Sequence, residues 1–169
     1  MERRPYYMNL EKLFHLQQNL NERIEKEHEL DQTSLLSKKV LALQVELAEL
    51  ANETKCFKYW SSKSASNRNI VLEEFVDCLH FILSLGLEKS FENINNIAIK
   101  DSQYDIVAQF LNLYVDINDF FICSSKDNYI TLFEDFLALG KSLDFNIEDI
   151  ENAYLIKNSI NHKRQDEGY

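Results

Sequence analysis

Apolar residues return at helical spacing along almost the whole chain, so helices are the elements this sequence predicts. Leu10, Leu13, Phe14, Leu20 and Ile24, with Gln17 on the same stripe, give a first helix, and Asn9 stands where an N-cap belongs. The run ERIEKEHELDQ from Glu22 to Gln32 is charged and predicts a solvated helix end and a loop. Thr33 or Ser34 is placed to cap a second helix that reaches Lys55. Lys58 to Asn67 carries serines and no apolar period, and predicts a loop. Further helices are expected from Asn69 to Leu87, Ser102 to Ile122, Asn128 to Ser142 and Ile147 to Lys163. The second and third are apolar around most of their circumference, which predicts a central, buried position. The chain reads as one all-α domain over residues 1–169, a helical bundle of about six helices.

Composition narrows the chemistry. The glycines are Gly86, Gly140 and Gly168, and the one proline is Pro5. Phosphate-binding loops of the Walker or Rossmann kind need clustered glycines, and none are clustered here. Hairpin turns lack their usual residues too, which disfavours a β fold. A net charge of −10 argues against binding a nucleic acid polymer. It does not oppose a nucleotide, because a triphosphate arrives with metal that an acidic site can hold. Cys56, Cys78 and Cys123 stand far apart, which excludes a disulfide scaffold or a structural zinc site and points to a reducing, cytoplasmic compartment. Met1 to Leu10 is too polar for a signal peptide, and no apolar run approaches the roughly 18 residues of a membrane span.

Against this background, certain carboxylates stand in the wrong place. Glu46 and Glu49 sit inside the apolar run VLALQVELAELANE, three apart and on one helix face. Glu74 and Asp77 repeat the arrangement in IVLEEFVDCLHFIL, among Val71, Phe75, Val76, Leu79, Phe81 and Ile82. A buried ionised carboxylate costs several kcal/mol unless something compensates. Mg²⁺ compensates well: it prefers hard oxygen ligands and leaves positions for water and phosphate. Two such pairs on facing helices therefore suit a clamp of two or three metals for phosphoryl chemistry. The plain alternative is that such pairs face water, as most do. Glu53 and Glu73 lie at the edges of the runs and read as solvated, or as neighbours of the site. Asp77-x-x-His80 and Glu25-x-x-His28 loosely imitate a di-iron pattern, but Glu25 and His28 stand in a charged stretch, and His80 reads as a core histidine with its hydrogen bonds met.

Several segments together resemble a known family. They are LQQNLN, VELAELANE, KYW, EEFVDCLHF and YLIKNSINHKRQDEGY. They are similar to the dimeric all-α dUTPases, which belong with the MazG-like all-α NTP pyrophosphatases. The resemblance covers residues 8–89 and 147–169, and residues 90–146 carry no anchor for it. The paired carboxylates are shared by the whole superfamily; Gln18 with Asn21, and the C-terminal KN-x-x-N-x-x-RQ-x-x-GY run, are more specific. Longer relatives continue past the position of Tyr169, so contacts made from beyond it are expected to be missing.

The resemblance implies hydrolysis of dUTP, and of dUDP, to dUMP with release of pyrophosphate or phosphate. It implies Mg²⁺, replaceable by Mn²⁺, on Glu46, Glu49, Glu74 and Asp77, with Glu49 as the proton acceptor and Glu46 beside it. It implies that Phe81 stacks on the base and that Trp60 lines base and sugar. Gln18 and Asn21 carry both donor and acceptor, as uracil recognition requires; cytosine has a donor where uracil has O4. Tyr154, Lys157, Asn161 and Arg164 fall on one stripe of the last helix, and the latter three, with Lys58, are expected to meet phosphate oxygens. Ala153, Ile156 and Ile160 are expected to form that helix's packed face.

A homodimer is also implied, and Phe75, Phe110, Tyr114, Phe120, Phe121, Phe133 and Phe136 are the apolar excess from which an interface could be built. Two alternatives stay open: a MazG-like pyrophosphohydrolase for dCTP or a broad substrate range, and a non-catalytic helical interaction protein. A regulatory protein partner is compatible with either enzyme reading.

Overall fold

The computed structural model describes residues 7–30, 34–94 and 96–169. Within them a short strand β1 (Tyr7–Asn9) leads into α1 (Leu10–Glu27), α2 (Leu36–Thr54) and α3 (Arg68–Glu88). A second strand β2 (Asn96–Ala98) precedes α4 (Ile106–Ile122), α5 (Lys126–Ser142) and α6 (Ile147–Asp166). The fold is all-α. The one β element among the described residues, an antiparallel ribbon with Met8 opposite Ile97, was not expected from the sequence. Both of those side chains are buried, so the ribbon closes the core rather than forming a layer.

Local chemistry explains where the helices begin. Asn67, Asp105, Ser125 and Asn146 each accept a backbone N–H of the first turn, and Asn146 forms a reciprocal capping box with Asp149. Asp105 and Ser125 therefore move the starts of α4 and α5 from the expected Ser102 and Asn128 to Ile106 and Lys126. The charged stretch from Glu22 is helical as far as Glu27, the end of α1, because Arg23 bonds Glu27 one turn on and reaches Asp166 of α6. α2 begins without a side-chain cap at Leu35; Ser34 Oγ instead accepts from Leu36 N and donates to Glu88. Thr33 and the side chain of Asn9, the other expected caps, lie outside the described residues.

α3 is the centre of the bundle and packs against α1, α2, α5 and α6. It is buried on nearly every side, as its unbroken apolar sequence requires. Two glycines permit the tightest contacts. A Cβ on Gly86 would strike the buried Tyr129, whose hydroxyl donates to Ile82 O, and one on Gly140 would lie 2.6 Å from the Phe75 ring. Phe75 is itself stacked on Phe136 at 4.2 Å. These rings, with Phe110, Phe120 and Phe133, fill the core of one chain. They are therefore not available for an interface, contrary to the expectation; of that set only Tyr114 and Phe121 keep exposed surface.

The last helix is turned from the expectation: of the expected packed face only Ala153 packs on the core. Tyr154, Lys157 and Asn158 are buried, while Ile156 is 64% exposed and Ile160 is exposed too. The polar stripe turns inward because it meets partners there: Lys157 finds carboxylates on α3, and Tyr154 stacks on His80 at 4.2 Å.

α4 and α5 are joined by a pair of acids. Asn112 Nδ2 donates to Asp116 Oδ2 at 3.0 Å and to Asp135 Oδ2 at 2.7 Å. Burial, then the charge and hydrogen bond of Asp135, push the Asp116 carboxyl up to about 7 from its ordinary 3.8. A raised carboxyl favours the folded state below the unfolded value and loses that contribution as pH rises through the folded one. Asp116→Asn should therefore raise Tm more at pH 8 than at pH 5 relative to the native chain. Circular dichroism melts at the two pH values test this, and an equal shift at both would sink it.

Candidate active site

Glu46 on α2, with Glu74 and Asp77 on α3, converge because the two helices lie side by side. Each offers a carboxylate oxygen, and the three oxygens lie within 4.8 Å of one another. All three residues are half-buried. Burial, and then the charges of Asp77, Glu49 and Glu74, push Glu46 up to about 7. Burial likewise raises Glu74, with Asp77 and Glu49 adding to it. Burial raises Asp77 as well, although Lys157 pulls it back. Like charges held together away from water explain all three directions.

Glu49 is exposed and stands outside the close trio, yet its charge is felt by both Glu46 and Glu74. Lys157 supplies part of the missing positive charge: its Nζ lies 2.8 Å from Asp77 and 2.9 Å from Glu73. Burial lowers the lysine, but the two carboxylates more than offset this, so it stays charged. One ammonium does not balance the negative charge of the cluster. A half-buried trio of hard oxygens with charge to spare fits a divalent cation. Glu73, at the rim, braces the lysine, and Glu53 lies by Lys55 at 4.0 Å.

Glu46 and Asp77 open into a cavity of about 370 Å³ between α1, α3 and α6. Asn21, Phe81, Asn161 and Arg164 line it, as do Gln17, Ser84 and Tyr169. Arg164 forms no ion pair among the described residues; its guanidinium lies over the Tyr169 ring at 5.3 Å. The cavity thus joins an acidic end, an aromatic wall and a cationic donor.

Glu49, Glu74 and Lys157 do not line it, the lysine expected at phosphate being held by Asp77 and Glu73, and Gln18, Trp60 and Lys58 lie away from it. Gln18 is exposed and bonds Glu22 on its own helix. Trp60 is 64% exposed in the loop after α2, edge-on to Phe57 and Tyr59. Lys58 lies over Phe57 at 5.8 Å in the same loop.

In place of Gln18 the neighbouring amide Gln17, 3% exposed, lines the cavity beside Asn21, and the sequence reading missed it as a site residue. The available signal was the one that found the acids: a polar side chain on an otherwise apolar stripe. Ser84 and Tyr154 carry the same signal. His80 is buried, and desolvation lowers it to about 3, so it is neutral. Its Nδ1 is 2.7 Å from Gln17 Oε1. Glu25 and His28 turn to Lys39 and Gln165 and do not join the carboxylates, so no di-iron pair forms.

A helical protein with a half-buried carboxylate trio, two of whose members line a concave cavity, has the outline of a hydrolase site. A family model described as dUTPase matches residues 9–169, and the chain belongs to that family, the all-α dUTPases. No curated protein matches the chain. Among the described residues no helix is long and apolar enough to cross a membrane.

If the trio holds a cation, Mg²⁺ should raise Tm, since a ligand bound only by the folded state stabilises it. Glu74→Gln, which leaves the Lys157 pair intact, should fold normally and lose most of that rise. Thermal melts with Mg²⁺ and with a chelator decide; an undiminished rise in the variant removes Glu74 from the cation site.

Proposed function

We propose that this dUTPase hydrolyses dUTP, and dUDP, to dUMP with release of pyrophosphate or phosphate. The observation that carries the reading is that Glu46 and Asp77, clustered with Glu74, line the same cavity as Asn21, Phe81 and Arg164. Glu46, Glu49, Glu74 and Asp77 hold two or three Mg²⁺ ions, and Mn²⁺ can replace them. Bound there, a divalent cation neutralises polyphosphate charge and lowers the pKa of a nearby water.

The chain's own residues do the rest. Glu49 takes the proton of the water that attacks the β-phosphorus, with Glu46 as its neighbour, and the bond to the α-phosphate oxygen breaks. Arg164 offers its planar fork to the outer phosphate oxygens, Asn161 adds a neutral donor, and Lys157 positions Asp77. Phe81 stacks on the base and Asn21 reads its edge, with Gln17 in the place expected for Gln18. Lys58 and Trp60 reach a substrate only through movement of their loop or from a second copy.

Glu49→Gln should lower kcat for dUTP with Mg²⁺ by at least about a hundredfold, the loss of a base or ligand. Pyrophosphate release gives the rate, and an unchanged rate would refute the role of Glu49. Cleavage of dCTP as fast as dUTP would shift the reading to a pyrophosphohydrolase of broader base preference. No turnover of any nucleotide would favour a non-catalytic interaction protein.

The protein acts as a homodimer in this reading. Leu41 and Val45 on α2, and Leu111, Val115 and Ile122 on α4, remain exposed, and Gln44 and Asn118 join the two helices at 3.3 Å. None of these residues is charged. On a chain of net charge −10, such a face lets two copies meet without repulsion. Leu111→Lys should convert a dimer to a folded monomer in sedimentation; a monomeric native chain, or a dimeric variant, would be contrary to it.

A further inference from the structure

The cavity that Glu46 and Asp77 line also carries two linked amides, Gln17 and Asn21, that are hydrogen-bonded to buried groups of the core. Gln17 Oε1 lies 2.7 Å from His80 Nδ1 and 2.9 Å from the Tyr154 hydroxyl. Gln17 Nε2 donates to Asn21 Oδ1 at 2.9 Å, and Asn21 Nδ2 donates to Ser84 Oγ at 3.0 Å. This direction requires the proton of His80 on Nδ1.

A reversed direction would satisfy the same links. Both amides would turn over, Ser84 would donate to Asn21, and Tyr154 would donate to Leu13 O, which lies 3.4 Å from its hydroxyl. His80 Nδ1 would then accept from Gln17, and its proton would move to Nε2. The surroundings of Nε2 distinguish the two. That atom is buried and has no hydrogen-bond partner among the described residues. A buried N–H without an acceptor is the rarer and costlier defect, so the proton belongs on Nδ1, where an acceptor waits.

We infer that His80 is a positioning residue: held as the Nδ1–H tautomer by its buried, partnerless Nε2, it fixes the direction of the Gln17 and Asn21 amides and so makes the site selective between uracil and cytosine. This rests on the reading above that places the base beside Asn21. An amide shows a donor and an acceptor side by side. With the base anchored through sugar and phosphates, one direction of the amide matches uracil N3–H and O4, and the opposite direction matches cytosine N3 and its amino group. A chain free to turn accepts both bases. A locked chain leaves a buried group unpaired against the wrong one.

The test has two arms. Nitrogen-15 NMR of the histidine side chains reads the tautomer in the native protein; Nδ1–H is expected, and Nε2–H would overturn the inference. Kinetics with dUTP and dCTP then compare His80→Phe with Tyr154→Phe. His80→Phe should lower the dUTP-to-dCTP ratio of kcat/KM at least about tenfold, mainly by gain on dCTP. Tyr154→Phe removes a hydroxyl from the same cluster but leaves the histidine, and should keep the ratio. An unchanged ratio in His80→Phe, or an equal fall in both variants, would overturn the role. If His80→Phe fails to fold, the NMR arm still decides. A native chain that cleaves no dUTP defeats the proposed activity, and the tautomer remains measurable without it.

Discussion

The structure depends on negative charge held where water is scarce. Glu46, Glu74 and Asp77 bring carboxylate oxygens within 4.8 Å of one another between packed helices, and burial is the leading cause of each raised pKa. Such a cluster persists only because the apolar faces of α2 and α3 are buried around it. Leu43, Leu47 and Leu50 on one helix, and Phe75, Val76 and Leu79 on the other, are almost fully excluded from solvent. Their burial stabilises the bundle by enough to offset a local conflict of several kcal/mol. A bound divalent cation would relieve the conflict, which is the physical basis of the proposed activity.

Lys157 shows how the fold tempers that charge without cancelling it. It reaches inward from α6 to Asp77 and Glu73 and ties the last helix to the acidic centre. The same inward stripe carries Tyr154, which reaches Gln17 on α1. One face of α6 therefore braces both ends of the cavity, the acidic end and the amide end. Ile156 and Ile160 are left outside as a consequence, while Ile150 stays in the core. The direction of α6 was misjudged from the sequence because isoleucine is ordinarily the buried residue; here, partners for lysine and tyrosine outweighed it.

Much of the design was nevertheless legible in the order of residues. Periodicity gave the helices, and the paired carboxylates stood out because glutamate and aspartate have no place in an apolar run without a reason. The dUTPase family is carried by motifs at both ends of the chain, and the family match over residues 9–169 agrees with it. Less legible were the starts of α4 and α5, decided by Asp105 and Ser125, and the ribbon of β1 and β2, whose strands are three residues each. Three residues carry too little pattern to announce a strand.

What the sequence alone determined is the fold class, the helices and the presence of buried acid, since these follow from spacing and from the cost of burying charge. Only the tertiary structure decided which amide of Gln17 and Gln18 meets the cavity, which face of α6 turns inward, and which aromatics are spent on the core. Those choices depend on partners far away in the chain: His80 and Tyr154 for Gln17, Asp77 for Lys157, Phe136 for Phe75. A hydrogen bond or an ion pair has a preferred direction and a distant partner, and neither can be read from periodicity along one helix.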